Sequence, residues 1–176
     1  MKAITVTDDS NRTLNWQDVP DPTCAPHQAL VDIHATAVNR ADLLQRAGNY
    51  PPPPGSPPYM GLEMSGTIST IGDEVEDFKP GDRVLGLLTG GGYAEQVAVP
   101  ATHLFPLPND RDFVWGAAIP EVFLTAFVNI FIEAELQEGE TALIHGGASG
   151  VGTAAIQLCH QAGCKVIATA GTDAKV

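Results

Sequence analysis

Residues 141–170 follow an order that few folds can satisfy. Thr141-Ala142-Leu143-Ile144-His145 is an apolar run short enough for a buried strand. Gly146-Gly147-Ala148-Ser149-Gly150-Val151-Gly152 is a glycine-rich turn. A helical stretch follows, with Val151, Ala155, Leu158, Cys159 and Ala162 on one face. Gly163 suits the helix C-terminus, and Lys165 to Ala170 reads as a second strand. Strand, glycine turn, helix and strand together predict the start of a mononucleotide-binding βαβ unit.

Such a turn offers a ligand the unpaired N–H groups and partial positive charge of a helix start. Gly147, Ser149 and Gly152 occupy the three slots that the G-x-G-x-x-G pattern gives to glycine, so the middle slot departs from it. Dinucleotide binding at this turn, with Gly147, Ser149 and Gly152 in those slots, is the reading; a ligand-free turn is the plain alternative. At the end of the second strand an acidic residue would bind the ribose 2′-hydroxyl of NAD. Here the chain has Gly171-Thr172-Asp173-Ala174-Lys175. Thr172 offers a hydroxyl and Lys175 a charge for a 2′-phosphate, which predicts NADPH over NADH. Asp173 competes for the ribose, and Lys175 can equally be a solvated lysine.

The first 110 or so residues read differently, as β and loop. Ala29 to Ala35 alternates, and strands are expected at Glu63 to Ile71, Arg83 to Leu88 and Tyr93 to Val99. Gly, Pro or Asp bounds each, which predicts a compact β-barrel-type domain. Residues 50–59, Tyr-Pro-Pro-Pro-Pro-Gly-Ser-Pro-Pro-Tyr, cannot form a helix or a central strand. They make a stiff surface connection or a rigid loop that presents Tyr50. From Phe113 the apolar period becomes helical, and Trp115, Phe127 and Phe131 are expected in the core. The fold class is α/β overall, with residues 1–119 as one domain and 120–176 as the beginning of a second.

Charge and cysteines narrow the partners. Nine basic against 21 acidic residues give a net charge of −12, unsuited to nucleic acid or anionic membrane. No apolar run reaches the ~18 residues of a membrane span. Three cysteines without metal-type spacing suit a reducing, cytoplasmic setting. The opening Met1 to Val6 reads as a strand and not as a leader.

Several stretches resemble one family in order along the chain. They are Asn39-Arg40-Ala41-Asp42, Gly48-Asn49-Tyr50-Pro51-Pro52-Pro53, Gly61-Leu62-Glu63-Met64-Ser65-Gly66 and Lys79-Pro80-Gly81-Asp82-Arg83-Val84. Gly90-Gly91-Gly92-Tyr93-Ala94-Glu95, Ala117-Ala118-Ile119-Pro120-Glu121, Leu124-Thr125-Ala126 and the glycine loop continue the series. The chain is similar to the zinc-independent quinone oxidoreductases of the medium-chain dehydrogenase/reductase superfamily, in the zeta-crystallin-like branch with its tumour-suppressor-inducible relatives. The resemblance implies a GroES-like domain followed by an incomplete Rossmann domain, with NADPH in the cleft between them. It places Asn39, Asp42 and Tyr50 near nicotinamide or substrate and Thr125 at the cofactor amide. It assigns Ser149 to Gly152 to the pyrophosphate, and Thr172 and Lys175 to the 2′-phosphate.

The implied activity is NADPH-dependent hydride transfer to quinones or activated enones. Tyr50 is either the proton donor or a wall of the pocket. Alternatives are an enoyl or alkenal reductase, a non-catalytic NADPH-binding or interaction module, and a crystallin-like structural role. Zinc relatives need an early Cys and His as ligands, but Asn39 to Asp42 has no Cys and Leu62 stands where the His would be, so no metal site is expected. The family is roughly twice this length, and a doubly wound domain has about six strands. The chain is therefore expected to be an N-terminal part, impaired alone and prone to pairing through an exposed strand edge. The family's homodimer strand lies outside it.

Lys175→Ala is expected to weaken NADPH binding while sparing NADH, measured by paired titrations; equal loss for both cofactors would remove Lys175 from the 2′-phosphate.

Overall fold

The structure is a computed structural model that describes residues 1–175. It divides into two units, Met1–Pro120 and Glu121 onward.

In the first unit, β1 (Lys2–Val6) pairs antiparallel with β2 (Leu14–Asp18). Five further strands follow: β3 (Gln28–Ala35), β4 (Glu63–Ile71), β5 (Arg83–Leu87), β6 (Gln96–Pro100) and β7 (Leu104–Pro106). They form one antiparallel sheet in the order β6-β3-β4-β5-β7. Alternation decides which residues enter the core. Ala29 and Val31 of β3 are fully buried, and Met64, Ile68, Val84, Val97 and Leu104 join them from four other strands. β1 is tied to the loop before β6, where Ile4 donates its N–H to the Tyr93 carbonyl at 2.8 Å.

Two helices decorate this sheet. α1 (Arg40–Arg46) stands where loop was expected, because its seven residues are too few to display a helical period. α2 (Phe113–Ala117) starts at Asp112, whose carboxylate accepts the Trp115 N–H at 2.7 Å. The buried Ser65 hydroxyl of β4 donates to the Phe113 carbonyl. The Phe113 ring stacks on His34 at 4.3 Å and lies under the Arg83 guanidinium at 4.7 Å.

The proline-rich stretch is neither helix nor strand, as its missing N–H donors require. Tyr50 to Gly55 are exposed. Each residue from Tyr50 to Pro53 precedes a proline and is confined to extended backbone. Ser56 donates its N–H to the Pro53 carbonyl at 3.2 Å, and Gly55 has φ +85°, which together suit a type II turn.

The second unit holds α3 (Pro120–Phe127), a π-helical segment Val128–Glu133, β8 (Thr141–Ile144), α4 (Gly150–Gln161) and β9 (Lys165–Ala168). β8 and β9 are parallel, with Leu143 beside Ile167. α4 joins them as the crossover that a parallel pair requires. Ala126, Ala154 and Ala155 form a small core with Val122, Ile130, Ile144 and Leu158.

Some expected core residues are elsewhere. Trp115 is 41% exposed, with the Arg111 guanidinium 5.2 Å from its ring. Phe127 is also exposed and meets Phe131 at 5.5 Å. Leu143 and Ile167 are more than half exposed, so the β8–β9 pair leaves one apolar face open. Among the described residues, no helix is long and apolar enough to cross a membrane.

Ser65→Ala should lower stability by about 1–2 kcal/mol, since it leaves the Phe113 carbonyl without its buried donor. Urea denaturation tests this, and a variant as stable as wild type would separate the α2 anchor from that hydrogen bond.

Candidate functional site

The first set of polar side chains gathers at the start of α1. Asn39 is the N-cap, with extended backbone at φ −110° and ψ 159°. The Asp42 side chain reaches back and accepts the Asn39 N–H at 2.7 Å. Tyr93 donates its hydroxyl to the same Asp42 oxygen at 2.8 Å, with the Ala37 carbonyl 3.1 Å away. The Asn39 carboxamide donates to Glu63 Oε1 at 2.6 Å, and Thr36 Oγ1 donates to the Glu63 carbonyl at 2.7 Å.

Two carboxyl groups are thus buried together: Asp42 is 1% exposed and Glu63 2%. Burying an acid is costly unless donors reach it, and Tyr93 and Asn39 are those donors. The other Asp42 oxygen, Oδ1, is buried and has no hydrogen-bond partner among the described residues, as is true of Gln45 Oε1 one turn further along α1. Tyr93 responds to this setting. Burial first, and then the adjacent Asp42 carboxylate, push its phenol well above the usual value near 10.

Backbone crossing explains why these residues meet. Gly61 has φ +101°, and a Cβ there would lie 2.5 Å from the Tyr93 nitrogen. Gly92 donates its N–H to the Gly61 carbonyl at 3.0 Å. Only glycine permits that approach, and it sets Glu63 and Tyr93 on either side of the crossing. Both residues lie in stretches that carry the family resemblance, but no local pattern in the sequence marks Glu63 or Tyr93 as a partner of Asn39 or Asp42.

Tyr50 stands apart from this network. Its ring is 45% exposed, and among the described residues no hydrogen bond or ring contact ties it to Asn39 or Asp42. A cavity of about 490 Å³ bordered by Pro57, Pro58, Tyr59 and Gln96 contains none of the expected site residues.

The second set surrounds the start of α4. Ser149 is its N-cap, and its hydroxyl accepts the Gly152 N–H at 3.0 Å. The middle slot of the glycine pattern therefore holds a side chain that closes the turn. A Cβ on Gly152 would lie 2.3 Å from the Gly146 carbonyl, so the helix packs directly on the turn's backbone. Gly147 donates its N–H to the Thr169 carbonyl at 2.8 Å, and Gly146 to the Thr169 hydroxyl at 3.3 Å. The N–H groups of Gly150 and Val151 have no protein acceptor among the described residues, as the first turn of a helix dictates. That turn carries no acidic side chain. An anion's oxygens fit such donors.

Thr125, Asn129, His145, Ser149 and Val151 line a groove of about 290 Å³ beside this turn. Val151, expected on the packed face of α4, is 39% exposed at its first turn. Beyond β9, Lys175 donates its N–H to the Thr172 carbonyl at 3.0 Å, and both side chains are exposed. Nothing lies within 4 Å of where a Cβ on Gly171 would stand. Among the described residues, no three His, Cys, Asp or Glu side chains converge as metal ligands.

Residues 25–109 match the alcohol dehydrogenase GroES-like domain. Quinone oxidoreductase of Rattus norvegicus is 39% identical over 157 residues, which are 89% of this chain and 48% of that protein. Over most of its length the chain is thus similar to quinone oxidoreductases, with a GroES-like match within it. It spans about half the length of the curated relatives that it matches. Solved structures show the same likeness. The Escherichia coli quinone oxidoreductase complexed with NADPH superimposes with a TM-score of 0.85 at 30% identity, over 99% of this chain and 53% of that one. The CurK enoyl reductase gives a TM-score of 0.89 at 29% identity, over 99% and 55%. The five-stranded sheet, β3 to β7, lies inside the GroES-like match, and the βαβ unit lies beyond it.

Tyr93→Phe removes the hydroxyl donor to Asp42 and should cost about 1–3 kcal/mol at pH 7. The folded phenol holds its proton above the usual value, so its stabilisation is present below pH 10 and is lost as pH rises further. Above pH 10 the unfolded chain releases the proton first. The alkaline loss of stability should therefore be shallower in the Phe variant, measured by urea midpoints between pH 7 and 11.

Proposed function

We propose that this chain supplies the NADPH-binding turn and the polar substrate-side residues of a zinc-independent oxidoreductase acting on quinones or other activated enones. The observation that carries the reading is the β8–turn–α4 unit. It leaves the Gly150 and Val151 N–H groups without acceptors at a helix start that lacks acidic side chains. The E. coli quinone oxidoreductase, solved in complex with NADPH, supports the choice of cofactor.

The residues divide the work. Gly150 and Val151 bind pyrophosphate oxygens through their N–H groups, while Ser149 and Gly152 hold the turn closed and Gly147 anchors it to the Thr169 carbonyl. Thr172 and Lys175 receive the 2′-phosphate, and Gly171 leaves space for it. Thr125 meets the cofactor's amide region. Asn39 offers its carboxamide to the reacting partners, and Asp42, buried beneath it, holds the Asn39 backbone in place. Bound NADPH supplies the hydride. An acceptor that is already electrophilic needs no metal to polarise it, so the residues' task is alignment and exclusion of water. From its phenol hydroxyl, Tyr50 donates the proton that follows. The setting is cytoplasmic, a reading supported by the free thiols of Cys24, Cys159 and Cys164.

An enoyl or alkenal reductase is the second reading, favoured by the similarity to the CurK enoyl reductase. Acceptor panels distinguish the two.

The test is a titration with NADPH and NADH, followed by turnover with quinones and enones. Tighter binding of NADPH and its oxidation by quinone are expected. NADPH binding without turnover of either panel would support a non-catalytic cofactor-binding module. Tyr50→Phe should lower kcat by about 10²-fold or more, the scale of a lost general acid; an intact kcat with a raised KM would make the ring a pocket wall.

A further inference from the structure

Glu63 is a buried acid that the proposed chemistry does not use, and its contact with Asn39 has a direction. A carboxylate offers only acceptors, whereas a carboxamide has a donor end and an acceptor end. The 2.6 Å bond from Asn39 Nδ2 to Glu63 Oε1 therefore fixes which end faces the acid. Oδ1 faces the Asp42 backbone N–H in the capping box of α1, which leaves one lone pair of that oxygen and one N–H for anything beyond. The surroundings hold the pair rigidly. Glu63 is 2% exposed, and its backbone carbonyl is held by Thr36. The Asn39 backbone is held by Asp42, and Asp42 by Tyr93.

We infer that Glu63 is a positioning residue: it orients the Asn39 carboxamide so that this side chain presents a hydrogen-bond acceptor to an N–H or O–H donor of the bound cofactor or substrate. The inference deepens the proposed function and rests on it for the identity of the ligand. The nicotinamide carboxamide and a quinol hydroxyl are two sources of the same donor chemistry. The ionisable side chains near the pair include Asp42 and Tyr93; the Asp42 carboxylate takes the Asn39 backbone N–H and the Tyr93 hydroxyl.

Three variants test it: Asn39→Asp, Glu63→Gln and the double exchange Asn39→Asp/Glu63→Gln. Thermal midpoints without ligand are measured from pH 5.5 to 8.5. Asn39→Asp sets two carboxyl groups where one hydrogen bond stood, and they share a proton only at the lower end. Its Tm should fall by several degrees as pH rises, relative to wild type. In the double exchange donor and acceptor trade places: the carboxamide now at position 63 donates to the carboxylate now at position 39. The pH profile should then return to that of wild type. A flat profile in Asn39→Asp, or one that the exchange does not restore, overturns the inference.

Ligand binding supplies the second arm. Glu63→Gln removes the bias on the carboxamide and should weaken NADPH binding about three- to tenfold if the donor is on the cofactor. If the donor is the quinol hydroxyl, NADPH binding is kept and the inhibition constant of added quinol rises by the same factor. The double exchange, which still presents an oxygen, should recover most of either loss. No change in both quantities overturns the role of Glu63 in ligand recognition. Failure of the wild-type chain to bind NADPH would instead remove the proposed function, and the ligand-free arm would still decide whether Glu63 orients Asn39.

Discussion

The buried carboxylate of Asp42 governs the first unit's site. With almost no solvent to screen it, the fold must bring donors to it, and it brings the backbone of Asn39 and the hydroxyl of Tyr93. The phenol reaches the acid across a separation of 51 residues. Meeting that demand fixes the start of α1, the Gly61–Gly92 crossing and the position of Glu63 in one step. The helix is short, and its helical propensity alone would not form it. It persists because its N-terminal acid is locked into the sheet domain. A change at Tyr93 or Gly61 is therefore felt at Asn39, although neither residue adjoins it in sequence.

The second unit rests on backbone contact. Gly152 lies against the Gly146 carbonyl, and Ser149 closes the turn from within. Serine in a slot usually reserved for glycine does not spoil the turn. Its hydroxyl occupies one donor of the helix start and so reduces the number of N–H groups left for an anion. Those that remain, at Gly150 and Val151, sit in a first turn that carries no carboxylate. Net charge says little about such a site, since a chain at −12 still carries a local positive end wherever a helix begins.

Legibility in the sequence followed the strength of each local signal. β4, with nine residues between turn formers, was readable to its ends, and the β8–α4–β9 order was readable because the period switched twice. α1 was not, for seven residues cannot declare a helical period, and Asn39 and Asp42 were read as loop residues for that reason. Trp115 and Phe127 were misplaced into the core because aromatic residues at helical spacing look buried. The deciding factor was instead how much structure covers a five- and an eight-residue helix. The glycine turn was legible as residue types; that Ser149 is its helix cap was not, since it depends on where its hydroxyl turns. Glu63 and Tyr93 lay in motifs already noticed, but their partnership with Asn39 and Asp42 is a tertiary fact, created by the crossing of two glycine-bearing strand ends.

The stretch from Tyr50 to the Pro53–Ser56 turn is stiff before the chain folds, because each proline narrows its own backbone and that of the residue before it. Molecules approaching Tyr50 meet an edge that does not mould itself to them. Under the proposed function, selection along this edge would work by exclusion, as a gauge sorts by diameter: acceptors of different chemistry would pass if flat and small enough. Breadth of substrate would then come from a rim that stays the same for every visitor, and a single glycine in place of Pro52 would convert that gauge into a flexible lip.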